Sequence, residues 1–330
     1  PKPGRAGAPL WPDSKIMGNN PDKRPFIAAF VGPTASGKSD LATEVAKTLG
    51  GAVVCMDAMQ VYRRMDIGTA KPDRQDQRRV PHYMLDVVEP HEAYSVAAYA
   101  RAARLAIGEI HNQGRLPVLC GGTGLYLRAL RQPLTFGHTP GDEAIRARWQ
   151  RLAEAEGADA VHARLLEADP ASARRLHPND LRRVIRALEV YEITGRPFSA
   201  QALPAEADSP YRFALFGLLW QREALYARID ARVDRMLAQG LAEEVRGLLA
   251  SGVSQKAQSM QGLGYKELVP WMMGETPYQE AVDTLKRRTR NYAKRQMTWF
   301  RREPGIRWLP GGEDPASLKA QAITIIKEQT

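Results

Sequence analysis

Eight residues, Gly32-Pro33-Thr34-Ala35-Ser36-Gly37-Lys38-Ser39, carry the spacing G-x-x-x-x-G-K-[ST] at every fixed position. Such a loop works through its backbone. Glycines let the chain wrap so that N–H groups converge on phosphate oxygens, and the following helix adds the partial positive charge of its N-terminus. The lysine reaches the outer phosphate, and the Ser39 hydroxyl can sit on Mg²⁺. The expected ligand is a pyrophosphate or triphosphate group, whatever molecule carries it. The plainer reading is a glycine-rich turn without function. It loses ground because a buried-strand pattern precedes the loop and a helical pattern follows it.

Two further constellations could share that chemistry. Asp57 follows the next apolar run, in Met56-Asp57-Ala58-Met59-Gln60-Val61-Tyr62. A carboxylate there can hold Mg²⁺ through water or accept a proton from an attacking nucleophile. At an arbitrary strand end an aspartate would be a cap or turn residue; the adjacent phosphate loop favours function. Gln60 offers a donor and an acceptor suited to a base edge. Gly121-Gly122-Thr123-Gly124-Leu125-Tyr126 closes a later strand, with glycines permitting close approach and Thr123 supplying a hydroxyl. Alone this turn is a weak signal.

The elements that must position these groups alternate in type. Phe26–Val31, Ala52–Met56, Leu116–Cys120 and Phe213–Leu219 are short continuous apolar runs, the pattern of strands buried on both faces. Tyr83–Val88 is a further strand candidate. Ser39–Leu49 and Ser95–Asn112 have helical spacing, with Ser95 as N-cap. A long helical stretch is expected from the strand at 213–219 to Leu249. Strands alternating with helices predict a parallel sheet covered on both faces, with the ligand at the strands' carboxyl ends. Lys38 and Asp57 then aim at one crevice. Between about His138 and Glu206 the strand signal vanishes into Ala, Arg, Glu and Leu broken by Gly157, Pro170 and Pro178. The expected fold is α/β: a P-loop-containing parallel sheet flanked by helices, with an inserted all-helical lobe. Its segments are a flexible leader over 1–24, with Met17 a candidate start, core over 25–137, insertion over 138–206 and a return to the core over 207–330.

Composition narrows the class. The chain has 330 residues, 44% hydrophobic and 25% charged, which excludes a disordered or collagen-like protein. No apolar stretch approaches the ~18 residues of a membrane span. The two cysteines, Cys55 and Cys120, cannot make a disulfide framework. A cytoplasmic protein without membrane partners is expected, and a monomer. Lys and Arg number 47 against 37 Asp and Glu, a net charge of +10, which favours polyanion partners. The surplus gathers in Thr284–Trp308, where nine Lys and Arg face only Glu303, with Tyr292, Trp299, Phe300 and Trp308 interleaved. That mixture suits a phosphate backbone and unpaired bases. A second cluster, Arg182, Arg183 and Arg186, follows His177-Pro178-Asn179-Asp180 in the insertion.

Taken together these motifs resemble the tRNA dimethylallyltransferases, P-loop enzymes that prenylate an adenine beside the anticodon. The resemblance runs in order from about Phe26 to Phe300. Besides the motifs above it rests on Met65-Asp66-Ile67-Gly68-Thr69-Ala70-Lys71-Pro72, Leu263-Gly264-Tyr265-Lys266-Glu267 and Thr289-Arg290-Asn291-Tyr292-Ala293-Lys294-Arg295-Gln296. It implies dimethylallyl pyrophosphate in the loop, held by Gly32, Pro33, Thr34, Ala35, Ser36, Gly37, Lys38 and Ser39 with Mg²⁺, and Asp57 as general base toward the amine of adenine 37. Thr123 would contact the tRNA or place the amine, and Arg228 or Arg232 would assist pyrophosphate departure. The tRNA path would run over Asp57, Ala58, Met59, Gln60, Thr123, Arg146, Arg182, Arg183 and Arg186. It would continue over Gln261, Gly262, Leu263, Gly264, Tyr265, Lys266, Arg287, Arg290, Lys294 and Arg295. Two positions depart from the family pattern: Ala58 stands where a serine is usual, and Leu181-Arg182-Arg183 replaces Pro-Gln-Arg. The competing readings are a small P-loop kinase, a non-catalytic RNA-binding protein and a prenyltransferase acting on free adenylate. The basic aromatic segment argues for a macromolecular acceptor.

Overall fold

Phe26–Val31 is strand β1, and all six of its side chains are buried. The computed structural model describes residues 24–132, 139, 141–201 and 209–330, so the expected leader, apart from Arg24, lies outside the described residues. After β1 come helix α1 (Lys38–Thr48), strand β2 (Ala52–Cys55), α2 (Arg74–Arg79), β3 (His82–Tyr83), α3 (Val96–Asn112), β4 (Pro117–Gly121) and α4 (Gly124–Arg131). The helical segment contains α5 (Glu143–Glu156), α6 (Ala158–Ala168), α7 (Pro170–Ala173) and α8 (Leu181–Thr194). The chain resumes with β5 (Arg212–Leu219), α9 (Arg222–Ala238), α10 (Leu241–Ala250), α11 (Tyr265–Met272), α12 (Tyr278–Phe300), β6 (Ile306–Pro310) and α13 (Pro315–Lys327). Two compact units result, residues up to 131 with those from 209, and residues 132–208.

The first unit is α/β, with one six-stranded sheet in the order β3-β2-β4-β1-β5-β6, all parallel. The pleat sends alternate residues of β1 to opposite faces. Ile27, Ala29 and Val31 pack with Tyr99, Ala103, Ile107 and Ile110 of α3. Phe26, Ala28 and Phe30 pack with Leu41 and Val45 of α1 and with Leu318, Ala322 and Ile326 of α13. This two-sided burial explains the unbroken apolar runs. Ser95 caps α3 as expected, its hydroxyl accepting from the Ala98 N–H at 3.1 Å.

Three expectations change. The strand read over Tyr83–Val88 shrinks to His82–Tyr83, because Met84 and Asp86 take positive φ values of 66° and 54° that end the extended backbone. The helical stretch to Leu249 divides into α9 and α10 at Gly240, with φ 99°. Ile306–Pro310, read as part of the basic segment, pairs with β5 as the edge strand β6.

The second unit has its own core, in which Val161, Leu165, Val184, Ile185 and Leu188 are buried. Asp169 organises the start of α7. It accepts from the N–H and hydroxyl of both Ser172 and Ser199, at 2.6 to 3.0 Å. Burial works against its charge, but these hydrogen bonds prevail and lower its pKa from 3.8 to about 2. A depressed carboxyl stabilises the fold above its unfolded value and loses that contribution as pH falls toward the folded one. The loss, about 2 kcal/mol, is expected between about pH 4 and pH 2. Asp169→Asn should flatten this part of an acid titration followed by circular dichroism. Identical acid profiles for variant and wild type would count against it.

Candidate active site

A parallel sheet delivers the loops after β1, β2, β4 and β5 to one edge. The register aligns their ends, with Val31 opposite both Gly121 and Gly217, and Cys55 opposite Cys120. Gly121 is required there, since a Cβ would stand 2.0 Å from the Met56 carbonyl oxygen. That close approach joins the second and third motifs. The Thr123 N–H donates to Met56 O at 3.2 Å, and its Oγ1 accepts from the Ala58 N–H at 3.1 Å. Asp57 Oδ1 accepts from the Met59 N–H at 2.8 Å, which fixes the carboxylate in the turn.

A cavity of about 320 Å³ opens at this edge. Lys38, Ser39, Asp57, Arg232, Tyr292 and Arg295 line it, together with an apolar wall of Ile229, Val233, Met236, Leu263 and Leu285. Lys38 Nζ donates to the Pro33 carbonyl of its own loop at 3.0 Å. Burial lowers the Lys38 pKa, and Arg232 adds to this while Asp57 pulls the other way. Burial likewise lowers the pKa of Arg232, against the pull of Asp57. Burial raises the thiol pKa of Cys55 and Cys120, favouring their neutral forms. The expectation left Arg228 and Arg232 open, and they occupy different places. Arg232 lines the cavity. Arg228 braces the phosphate loop, its Nε donating to Ala35 O at 2.8 Å and its guanidinium 4.4 Å from the centre of the Trp220 ring.

Neighbouring residues shape the wall. Gln60, expected to offer a base-edge pair, is engaged within the chain: Nε2 donates to Thr69 O and Ala70 O at 3.0 and 3.2 Å, and Oε1 accepts from Cys55 Sγ at 3.0 Å. Glu244 gathers the same loop, accepting from the N–H groups of Asp66, Ile67 and Gly68 and from Tyr265 Oη at 2.6 to 3.0 Å. Gly262, Leu263, Gly264, Tyr265, Lys266 and Gln261 line the cavity as a group. Among the described residues no cluster of three His, Cys, Asp or Glu side chains could cage a metal. The Ser39 hydroxyl lines the cavity with Lys38 and Asp57 and is an oxygen donor of the kind that Mg²⁺ takes when phosphate oxygens and water complete its shell.

The basic segment is less free than its sequence indicates. Arg290 holds Asp230 at 2.6 and 2.8 Å, Lys286 meets Asp234 at 2.6 Å and Arg288 meets Glu267 at 3.1 Å. The acids missing from the segment come from α9 and α11. Arg287, Lys294 and Arg295 remain exposed. In the second unit Arg182 and Arg183 are exposed, the latter 3.3 Å from Asp180. Arg146 and Arg186 converge on the buried carboxylate of Glu189, so both are at least partly structural. Glu244 escaped the sequence reading because its partners lie far away in the chain, and Glu189 because Arg146 and the Asp142 N–H reach it from the start of α5, although Arg186 is its near neighbour on α8. Gln296 was read only as part of a motif.

The parallel sheet, the loop at the end of β1 and the acid beside it define a P-loop α/β protein. A family model described as IPP transferase matches residues 60–303. The chain belongs to the IPP transferase family. A relative from Pelotomaculum thermopropionicum, named tRNA dimethylallyltransferase, is 49% identical over 293 residues, covering 89% of this chain and 93% of its own. Among solved structures, the tRNA isopentenylpyrophosphate transferase of Bacillus halodurans is 40% identical, with a TM-score of 0.69, covering 93% of this chain and 98% of that one. A eukaryotic dimethylallyltransferase acting on tRNA is 29% identical, with a TM-score of 0.79, covering 93% and 80%. Among the described residues no helix is long and apolar enough to cross a membrane.

Proposed function

We propose that this chain transfers a dimethylallyl group from dimethylallyl pyrophosphate to N6 of adenine 37, beside the anticodon of tRNA. The observation that carries the reading is a single cavity in which a phosphate-loop lysine and a strand-end carboxylate meet beside an apolar wall. The pyrophosphate lies in the 32–39 loop with Lys38 at its outer end, and the prenyl tail lies along Ile229, Val233, Met236, Leu263 and Leu285. Asp57 accepts a proton from the adenine amine as N6 bonds to the allylic carbon. The carbon–oxygen bond breaks, and its electron pair leaves with pyrophosphate. Arg232 is the cation placed to meet that charge, while Thr123 holds the Asp57 turn through Ala58. When bound, Mg²⁺ would be held by the Ser39 hydroxyl and phosphate oxygens and would supply further neutralisation of charge on the leaving group. An adenine must leave its stack to enter. Lys294, Arg295 and Arg287, with Arg182 and Arg183 of the insertion, are the exposed cations suited to the RNA backbone, and a monomer would suffice.

The test is a transfer assay with Mg²⁺, radiolabelled dimethylallyl pyrophosphate and unmodified bacterial tRNA, alongside an AMP acceptor and an ATP control. Label at adenine 37 supports the reading. Label in AMP moves the acceptor to a free nucleotide, and ATP consumption without label transfer points to a kinase.

A further inference from the structure

Gln296, on α12, sits between two glycine loops. Its Oε1 accepts from the Thr34 N–H at 2.9 Å, and its Nε2 donates to the Gly122 carbonyl at 2.9 Å. The side chain is buried, and a Cβ on Gly122 would stand only 2.1 Å from Nε2. The consequence lies in the donor supply of the phosphate loop. Such a loop grips phosphate through its backbone N–H groups. Residue 33 is a proline and has none. The next N–H, at Thr34, is taken by Gln296. The first backbone donor beyond these is Ala35, whose φ of 62° turns the chain toward the helix N-terminus. Lys38, the group that marks the outer phosphate, is bonded at this same end, to Pro33 O.

We infer that Gln296 sets the number of phosphates the loop accepts, leaving donors for two and withholding them from a third. The inference rests on the pyrophosphate reading above and adds a cause for it. A third phosphate extending past Lys38 toward residues 33–34 finds a proline, a carbonyl oxygen and an amide oxygen, all without an N–H to offer. Inner phosphates use the donors from Ala35 to Ser39 and are unaffected.

The experiment is calorimetric titration of the full chain with Mg²⁺-pyrophosphate and Mg²⁺-tripolyphosphate. Wild type is expected to favour pyrophosphate by tenfold or more. Gln296→Met, which keeps the length and burial but frees the Thr34 N–H, should bring the two affinities within about threefold, mainly by tightening tripolyphosphate. Both affinities come from one preparation, so a partly inactive sample does not alter their ratio. Gln296→Glu retains the acceptor and adds negative charge, and should weaken both anions and widen the preference. An unchanged ratio in Gln296→Met overturns the inference while leaving the donor reading intact. Should that variant fail to fold, a narrowed or unchanged ratio in Gln296→Glu overturns it equally. A wild type that favours tripolyphosphate overturns the donor reading, and this inference with it.

Discussion

Asp57→Ala is expected to lower turnover of the prenyl transfer by about 10²–10⁴-fold while leaving tRNA affinity within a few-fold. An aromatic amine is a weak nucleophile and gains from a carboxylate that takes its proton as the new bond forms. One oxygen of Asp57 is fixed by the Met59 N–H, and the turn is held from the other side by Thr123. The carboxylate therefore stands in position before substrate arrives, the condition under which general-base catalysis contributes most. Asp57→Asn keeps the shape but lacks the base, so it should fail almost as badly. Single-turnover rates on bound tRNA separate this from an affinity loss. Near-normal chemistry in either variant would remove Asp57 from the base role.

Lys38→Met should cut turnover by about 10²–10³-fold and weaken pyrophosphate binding. The side chain keeps nearly the same length but loses the only ammonium on the loop. Burial lowers the pKa of Lys38, which gives the pH dependence a sign. In the free protein the charge is lost as pH rises through that lowered value, whereas a bound phosphate anion favours the charged form and raises the pKa. Pyrophosphate binding should then take up a proton on the alkaline side. Calorimetry in two buffers of different ionisation enthalpy would detect this uptake, and it should vanish in Lys38→Met. Equal uptake in both proteins would assign the proton to another group.

The phosphate loop was legible because its spacing is fixed by backbone geometry, and the four central strands because burial on both faces leaves no polar residue in the run. Tyr83–Val88 was misread because composition does not reveal a left-handed backbone at Met84 and Asp86. Strand β6 was hidden by alternation: Ile306, Trp308 and Leu309 are interrupted by Arg307, as suits an edge strand, and they lie within a segment that reads as basic. Asp57 was found from its place after a strand. Its support was not, since the Thr123 hydroxyl that accepts from the Ala58 N–H is remote in sequence. The charge reading overestimated the free cations of α12 for the same reason. A run of arginines shows its own charge, but Asp230, Asp234 and Glu267 come from other helices.

The strand order also bears on how the molecule is made. β1 is synthesised early, yet one of its two neighbours is β5, whose pairing begins at Phe26 with Arg212. Until β5 leaves the ribosome, the phosphate loop belongs to a sheet with an open edge at its centre. Pairings between such distant segments form slowly, and unpaired strand edges invite aggregation. The intervening helical unit makes its contacts locally, for example between α6 and α8, and can finish while β1 is still waiting. A nascent chain ending before Leu219 is thus expected to carry a formed insertion and an unformed active site. Translation speed across residues 132–219 then becomes a determinant of yield.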